Sequence, residues 1–141
     1  MSGHAGLFST AADLTRFARM YLNGGALDGV RILAPGTIAT FTAIQDPAIS
    51  FRALGWEKPS GTNSAGTWMS PAAFGHTGFT GTSLWIDPES DVFVILLTNR
   101  VNPSRQNTRI GRVRTALADA VMTTLESGAG ASTTATAKGQ P

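Results

Sequence analysis

The stretch Phe74-Gly75-His76-Thr77-Gly78-Phe79-Thr80-Gly81-Thr82-Ser83-Leu84-Trp85-Ile86-Asp87-Pro88 restricts the possible folds of this chain more than any other. It places three glycines and a histidine at the start of a strand pattern. Glycine weakens a strand interior, so it marks a bend, a bulge or a close approach to the backbone. Thr82, Leu84 and Ile86 then alternate with Ser83 and Trp85, the two-residue period of a strand. Asp87-Pro88-Glu89-Ser90 carries turn chemistry, and residues 92–97 are an unbroken apolar run. Strands joined by so short a turn pair antiparallel. A run apolar on both faces is expected in mid-sheet, covered by helices on either side.

Helical spacing flanks this sheet. Thr10 can cap a helix over residues 11–23, Asp13 favours its first turn, and Gly24-Gly25 ends it. Leu14, Phe17, Ala18 and Tyr21 make its apolar face. Residues 26–30 read as a short loop, Arg31-Ile32-Leu33 follow, and Pro35 fits the first turn of a second helix carrying Ile38 and Phe41. Residues 51–57 read as a strand and residues 58–71 as a polar loop. Ile110, Val113, Leu117, Val121 and Leu125 make the buried face of a last helix over residues 105–126. From Ser127 the chain is Gly, Ala, Ser and Thr without apolar period, so residues 127–141 are expected to be a disordered tail. The fold class is α+β, an antiparallel sheet packed with helices, in one domain over residues 1–126.

Hydrophobic residues at 42% support a packed core, and a net charge of +2 gives no argument for nucleic acid. There are no cysteines, which excludes disulfides and thiolate zinc sites. His4 and His76 form no local metal motif, so no metal and no cofactor are expected. The first residues lack the basic and apolar regions of a signal peptide, and no apolar run reaches the length of a membrane span. No membrane partner is expected, and the compartment is left open.

His76-Thr77-Gly78, followed by Phe79-Thr80-Gly81-Thr82, resembles the Lys-Thr-Gly or His-x-Gly strand of the serine β-lactamase and penicillin-binding-protein superfamily. The flanks agree: Gly6-Leu7-Phe8-Ser9-Thr10-Ala11-Ala12-Asp13-Leu14 resembles the family's start of a helix. Leu54-Gly55-Trp56 resembles the strand before the triad, and Asp87-Pro88 and Leu97-Thr98-Asn99 resemble its later turn and strand end. Over residues 3–126 the chain is similar to the C-terminal half of that fold, near class C enzymes and their esterase and D-aminopeptidase relatives. The resemblance implies a partial β-lactamase/transpeptidase-like fold and a small-molecule acyl substrate. It makes the Phe79 amide an oxyanion donor, a role that lowers a barrier by about 3 kcal/mol. It places His76 where relatives carry lysine, with Thr77 and Gly78 on the substrate-binding edge. It puts His4 near the cleft floor and Asn99 and Arg105 near a loop that meets a substrate carboxylate. Lysine is a permanent cation and histidine is not, which shifts the expectation from β-lactams toward esters, amides or D-amino-acid peptides. The parent family is often exported or periplasmic.

The family's nucleophile lies in Ser-x-x-Lys, with the lysine activating the serine. The only lysines here are Lys58 and Lys138, preceded at three residues by Gly55 and Ala135, so the motif does not occur. Tyr21-Leu22-Asn23 matches Tyr-x-Asn as a string, but Tyr21 continues the apolar helix face and reads as core. Ser83 reads as structural, and Arg100, Arg105, Arg109, Arg112 and Arg114 as a mostly solvated basic run. Three expectations follow. The chain is a truncated product inactive alone, or a half-enzyme needing an N-terminal partner chain, or a binding module that keeps the groove without the chemistry. In each case apolar surface normally covered by the other half is expected to be exposed.

Overall fold

The computed structural model describes residues 6–61 and 63–134, with side chains through Gly128. His4 therefore lies outside the described residues. The elements run α1 (Ala11–Leu22), β1 (Ala26–Leu27), β2 (Val30–Arg31), α2 (Pro35–Thr42), β3 (Phe74–Thr77), β4 (Ser83–Asp87), β5 (Val92–Leu96) and α3 (Ile110–Thr134). Thr10 caps α1, its Oγ1 accepting the Asp13 N–H at 3.1 Å, which satisfies one of the free donors of a helix start. Pro35 opens α2 as its spacing predicts.

The strands β3, β4 and β5 form an antiparallel sheet in that order, with Phe74 opposite Ile86 and Ser83 opposite Leu96. Side chains alternate between its faces. Phe74 and Ile86 turn toward α1 and pack with Ala18, Tyr21, Leu22 and Trp56. Trp85 and Val94 turn the other way, onto Ala118 and Met122 of α3 and onto Ala65, Met69 and Ala73 of the preceding loop. The sheet is thus a middle layer between two helices, and burial of each large apolar side chain stabilises it by roughly 1.5–3 kcal/mol.

Five expectations need correction. Residues 92–97 were placed in mid-sheet, but β5 is an edge and β4 is the central strand. The apolar run reflects cover from both helices: Phe93 packs on the α1 side and Val94 on the α3 side. Residues 51–57 form no strand. Ala53 N–H bonds back to Trp56 O at 3.0 Å, and only Glu57 joins the sheet, exchanging two hydrogen bonds with Gly75. The expected loop over residues 26–30 instead lies in the hairpin β1–β2, turning at Asp28-Gly29, a pair suited to a two-residue hairpin loop. The last helix starts at Ile110, not near 105. Ser104 Oγ and Asn107 Oδ1 accept the N–H groups of Gln106 and Arg109, and such local bonds compete with a helix.

At its other end α3 continues to Thr134, so residues 127–134 are helical where a disordered tail was expected. Propagating a helix adds one hydrogen bond per residue, and residues 127–134 contain no proline to remove a donor. Residues 135–141 lie outside the described ones. No helix among the described residues is long and apolar enough to cross a membrane. Helix α2 buries none of its residues, and Ile32, Phe41, Ile49, Phe51 and Leu54 are exposed around it.

Gly75 is the tightest point of the sheet. A Cβ there would lie 2.3 Å from Trp85 Cδ2 and 2.5 Å from Leu84 O. Gly75→Ala is expected to destabilise the chain by about 1–3 kcal/mol through overpacking. Gly36→Ala, where a Cβ meets nothing within 4 Å, is expected to be neutral or stabilising by up to about 1 kcal/mol. Urea unfolding of the two variants checks this; equal midpoints would contradict the close packing.

Candidate active site

Beyond Gly75 the outer edge of β3 is open. Gly75 spends its N–H and C=O on Glu57, at 3.0 and 2.7 Å. Successive residues of a strand direct these groups to alternate sides, so Thr77 presents its own pair to the same, uncovered side. His76, Thr77, Gly78 and Phe79 line one groove of about 710 Å³ with Leu14 of α1, Leu84 of β4, Leu97 and the segment Gly6-Leu7. His76 is exposed, and Phe79 is 68% exposed. Among the described residues, His76 is the only lining side chain with a titratable group.

The turn joining β3 to β4 has an unusual hydrogen-bond balance. Gly78 N–H donates to Thr82 O at 2.8 Å, and Gly81 N–H to Gly78 O at 3.1 Å. Arg100 donates from its backbone N–H to Thr80 O and from Nε to Phe79 O, each at 2.7 Å. Thr98 Oγ1 donates to Gly81 O at 2.9 Å. Arg114 Nη2 donates to Gly78 O at 2.8 Å and to Thr82 O at 2.7 Å. All five carbonyls from Gly78 to Thr82 are therefore engaged. Among the described residues, nothing accepts the N–H groups of Phe79 or Thr80. A turn with its acceptors consumed and its donors free favours a negatively charged oxygen. Gly81 is needed for the shape: its φ is +125°, and a Cβ there would lie 2.6 Å from Thr98 Oγ1.

The other expected site residues stand outside the groove. Asn99 Oδ1 accepts Val101 N–H at 3.2 Å, and Arg105 O accepts a bond from Arg100 Nη1 at 3.1 Å. Both belong to the loop behind the turn, and neither lines the groove. Ser83 is buried. Tyr21 packs edge-on against Phe17 and Trp56 and beside Phe74.

The basic run is not uniformly solvated. Arg105, Arg109 and Arg112 are exposed, but Arg100 and Arg114 are half-buried and hold the turn. Arg114 lies four residues from both Ile110 and the buried Ala118, and this spacing puts it on the inward face of α3. Burial pushes its pKa down; Glu57 opposes this and Arg100 adds to it. Arg114 Nε is buried without a partner among the described residues. The Arg100 guanidinium also lies 4.3 Å from the centre of the Phe79 ring, within cation–π range.

Two further polar residues support the frame. Asp87, fully buried, accepts Ser70 N–H at 2.8 Å, Ser70 Oγ at 2.6 Å and Glu89 N–H at 3.1 Å. It ties the long loop to the hairpin turn. Lys58 Nζ donates to Ala72 O at 2.8 Å; burial lowers its pKa, against the attraction of Asp87 and Glu89. Neither role is visible in the sequence, where Asp87-Pro88 reads only as a turn.

The Beta-lactamase family model matches residues 1–118. Two relatives named "Putative D-alanyl-D-alanine carboxypeptidase", from Salmonella paratyphi B and Salmonella newport, are each 36% identical over 113 residues. The match takes in 78% of this chain and 26% of each relative, so the chain spans about a quarter of their length. A β-lactamase crystal structure from Mycobacterium bovis superposes with a TM-score of 0.65 at 25% identity. It covers 83% of this chain and 44% of that one, and it bears out the partial β-lactamase fold.

Tyr21 gives a direct check of the helix face. Burial raises its pKa above the ordinary 10.0, with a smaller opposing effect from Trp56. It is the only tyrosine, so its phenolate absorbance can be read alone. The folded chain should titrate above pH 10, later than the unfolded chain. The folded state holds that proton longer, so its contribution to stability is full below pH 10 and is lost as pH rises through the folded pKa. Titration below pH 10 in the folded chain would contradict the packed Tyr21.

Proposed function

We propose, from a chain that belongs to the β-lactamase family, that its groove is one wall of a serine acyl-hydrolase site. The observation that carries this reading is the free Phe79 N–H on an open strand edge, in a turn whose carbonyls are all engaged. An extended substrate lies along β3, pairing with the backbone of Thr77 as an added strand. Its scissile carbonyl oxygen sits at the Phe79 N–H. A serine oxygen bonds to the carbonyl carbon as its proton passes to a base of the N-terminal part, and the C=O electron pair moves onto the carbonyl oxygen as an oxyanion. The tetrahedral centre collapses with cleavage of the bond to the leaving group, which takes that proton; water then bonds to the acyl carbon, the acyl–serine bond breaks, and the serine oxygen regains a proton. His76 borders the substrate and donates a hydrogen bond to it or to the nucleophile network.

The serine is not drawn from these 141 residues, which hold no Ser-x-x-Lys. The complete site then needs an N-terminal part, in the same or another chain, and this chain supplies the oxyanion amide. The absence of that motif also favours a second reading, a module that binds acyl ligands without turning them over.

The substrate class is an ester, amide or D-amino-acid peptide. No groove-lining side chain among the described residues carries a fixed charge, and the side-chain hydrogen bonds of Arg100 and Arg114 run to backbone carbonyls. That favours a neutral acyl ligand over a carboxylate held by an ion pair. In a 1H–15N titration of the chain, N-acetyl-D-alanine methyl ester should shift the Thr77, Gly78 and Phe79 amides saturably, and more strongly than N-acetyl-D-alanine. Unmoved amides at millimolar ester, or stronger binding of the free acid, would contradict this reading.

A further inference from the structure

We propose that Arg114 and Arg100 are positioning residues of this site, which lock the Gly78–Thr82 turn so that only its N–H donors face the groove. The proposal rests on the reading of Phe79 as the oxyanion donor, but its structural half stands apart from it.

The two guanidiniums reach the turn from different places. Arg114 comes up from the first turns of α3 and bridges Gly78 O and Thr82 O with one nitrogen, Nη2. Those carbonyls stand at the two ends of the turn, so one side chain fixes its width. Arg100 follows β5 and takes Phe79 O with Nε and Thr80 O with its backbone N–H. A peptide plane points its carbonyl and the following N–H in opposite directions. Holding Gly78 O against Arg114 therefore aims the Phe79 N–H away from α3, and holding Phe79 O does the same for the Thr80 N–H.

Charge adds to geometry. The ion pairs among the described residues are Arg16–Asp28, Arg19–Asp91 and Arg52–Glu57, so neither clamp arginine touches a carboxylate. Their acceptors are neutral carbonyls, and both positive charges remain at the back of the turn. A negative oxygen forming at the Phe79 N–H would meet their field. An arginine on a solvated helix face would do neither, and Arg105, Arg109 and Arg112 are the exposed comparison within the same run.

The test is amide hydrogen exchange of the 15N-labelled chain in Arg114→Met, with Arg112→Met as control. Gly78 and Gly81, whose N–H groups close the turn, should exchange at least tenfold faster in Arg114→Met, while Trp85 and Ile86 in the core strand keep their rates. Arg112→Met should change neither. In the ester titration, Arg114→Met should reduce the Phe79 shift at least threefold while the Thr77 shift persists, a split that loss of packing would not produce. Unchanged Gly78 and Gly81 rates, or equal acceleration of turn and core, would overturn the clamp. Should Arg114→Met not fold, Arg100→Met is read the same way, with local loosening of Gly81 expected and an unaltered turn overturning the proposal. If the wild-type chain binds no ester but the exchange pattern holds, the assignment of Phe79 falls and the clamp stands.

Discussion

The Trp85 indole occupies the space that a side chain on residue 75 would need. Most of the molecule follows from that contact. With no Cβ at Gly75, β3 and β4 close over a fully buried indole, whose Nε1 donates to Ser64 Oγ at 3.2 Å. Trp85 then presents its far face to Ala118 and Met122 of α3, and the loop residues Ala65, Met69 and Ala73 close around it. The same glycine exchanges two backbone bonds with Glu57, which brings Trp56 onto Phe74 and under α1. One missing methyl group thus sets the spacing of all three layers.

The groove inherits its rigidity from this arrangement. His76 and Thr77 follow Gly75 directly, so their positions are fixed by the strand register. The turn beyond them would be loose if it relied on its two internal hydrogen bonds. Arg114 and Arg100 tie it to α3, which packs on Trp85, and to the segment after β5. Core packing and the aim of the Phe79 amide are therefore coupled through two side chains. On the proposed reading of Phe79, such a wall would hold an oxyanion donor while also serving as core.

Much of this was legible in the sequence, and the failures have physical causes. The hairpin β4–β5 could be read from the period of Ser83 to Ile86 and from Asp87-Pro88, because strand alternation and turn chemistry are local. The His76-Thr77-Gly78 edge was legible through its order among several short motifs. The position of β5 was not, since a run covered by helices on both faces looks alike at the centre and at the edge of a sheet. Arg114 was missed because it sits in a run whose members Arg105, Arg109 and Arg112 are exposed, and because arginine is ordinarily solvated. Asp87 was missed because its partner Ser70 lies 17 residues away, a distance at which no local pattern reports contact. Residues 51–57 have strand composition, but the Ala53 to Trp56 hydrogen bond folds them back on themselves.

The central claim is that this wall can serve acyl transfer when a nucleophile faces it. The most direct measurement is ester hydrolysis by a chimera in which residues 1–118 replace the matching segment of one of the full-length Salmonella relatives. The account predicts turnover of a neutral ester by the folded chimera, with kcat falling when the clamp is cut by Arg114→Met and KM little changed. A folded chimera that binds the ester at the Phe79 amide but releases no product would contradict it, and would leave the groove as a binding surface without chemistry.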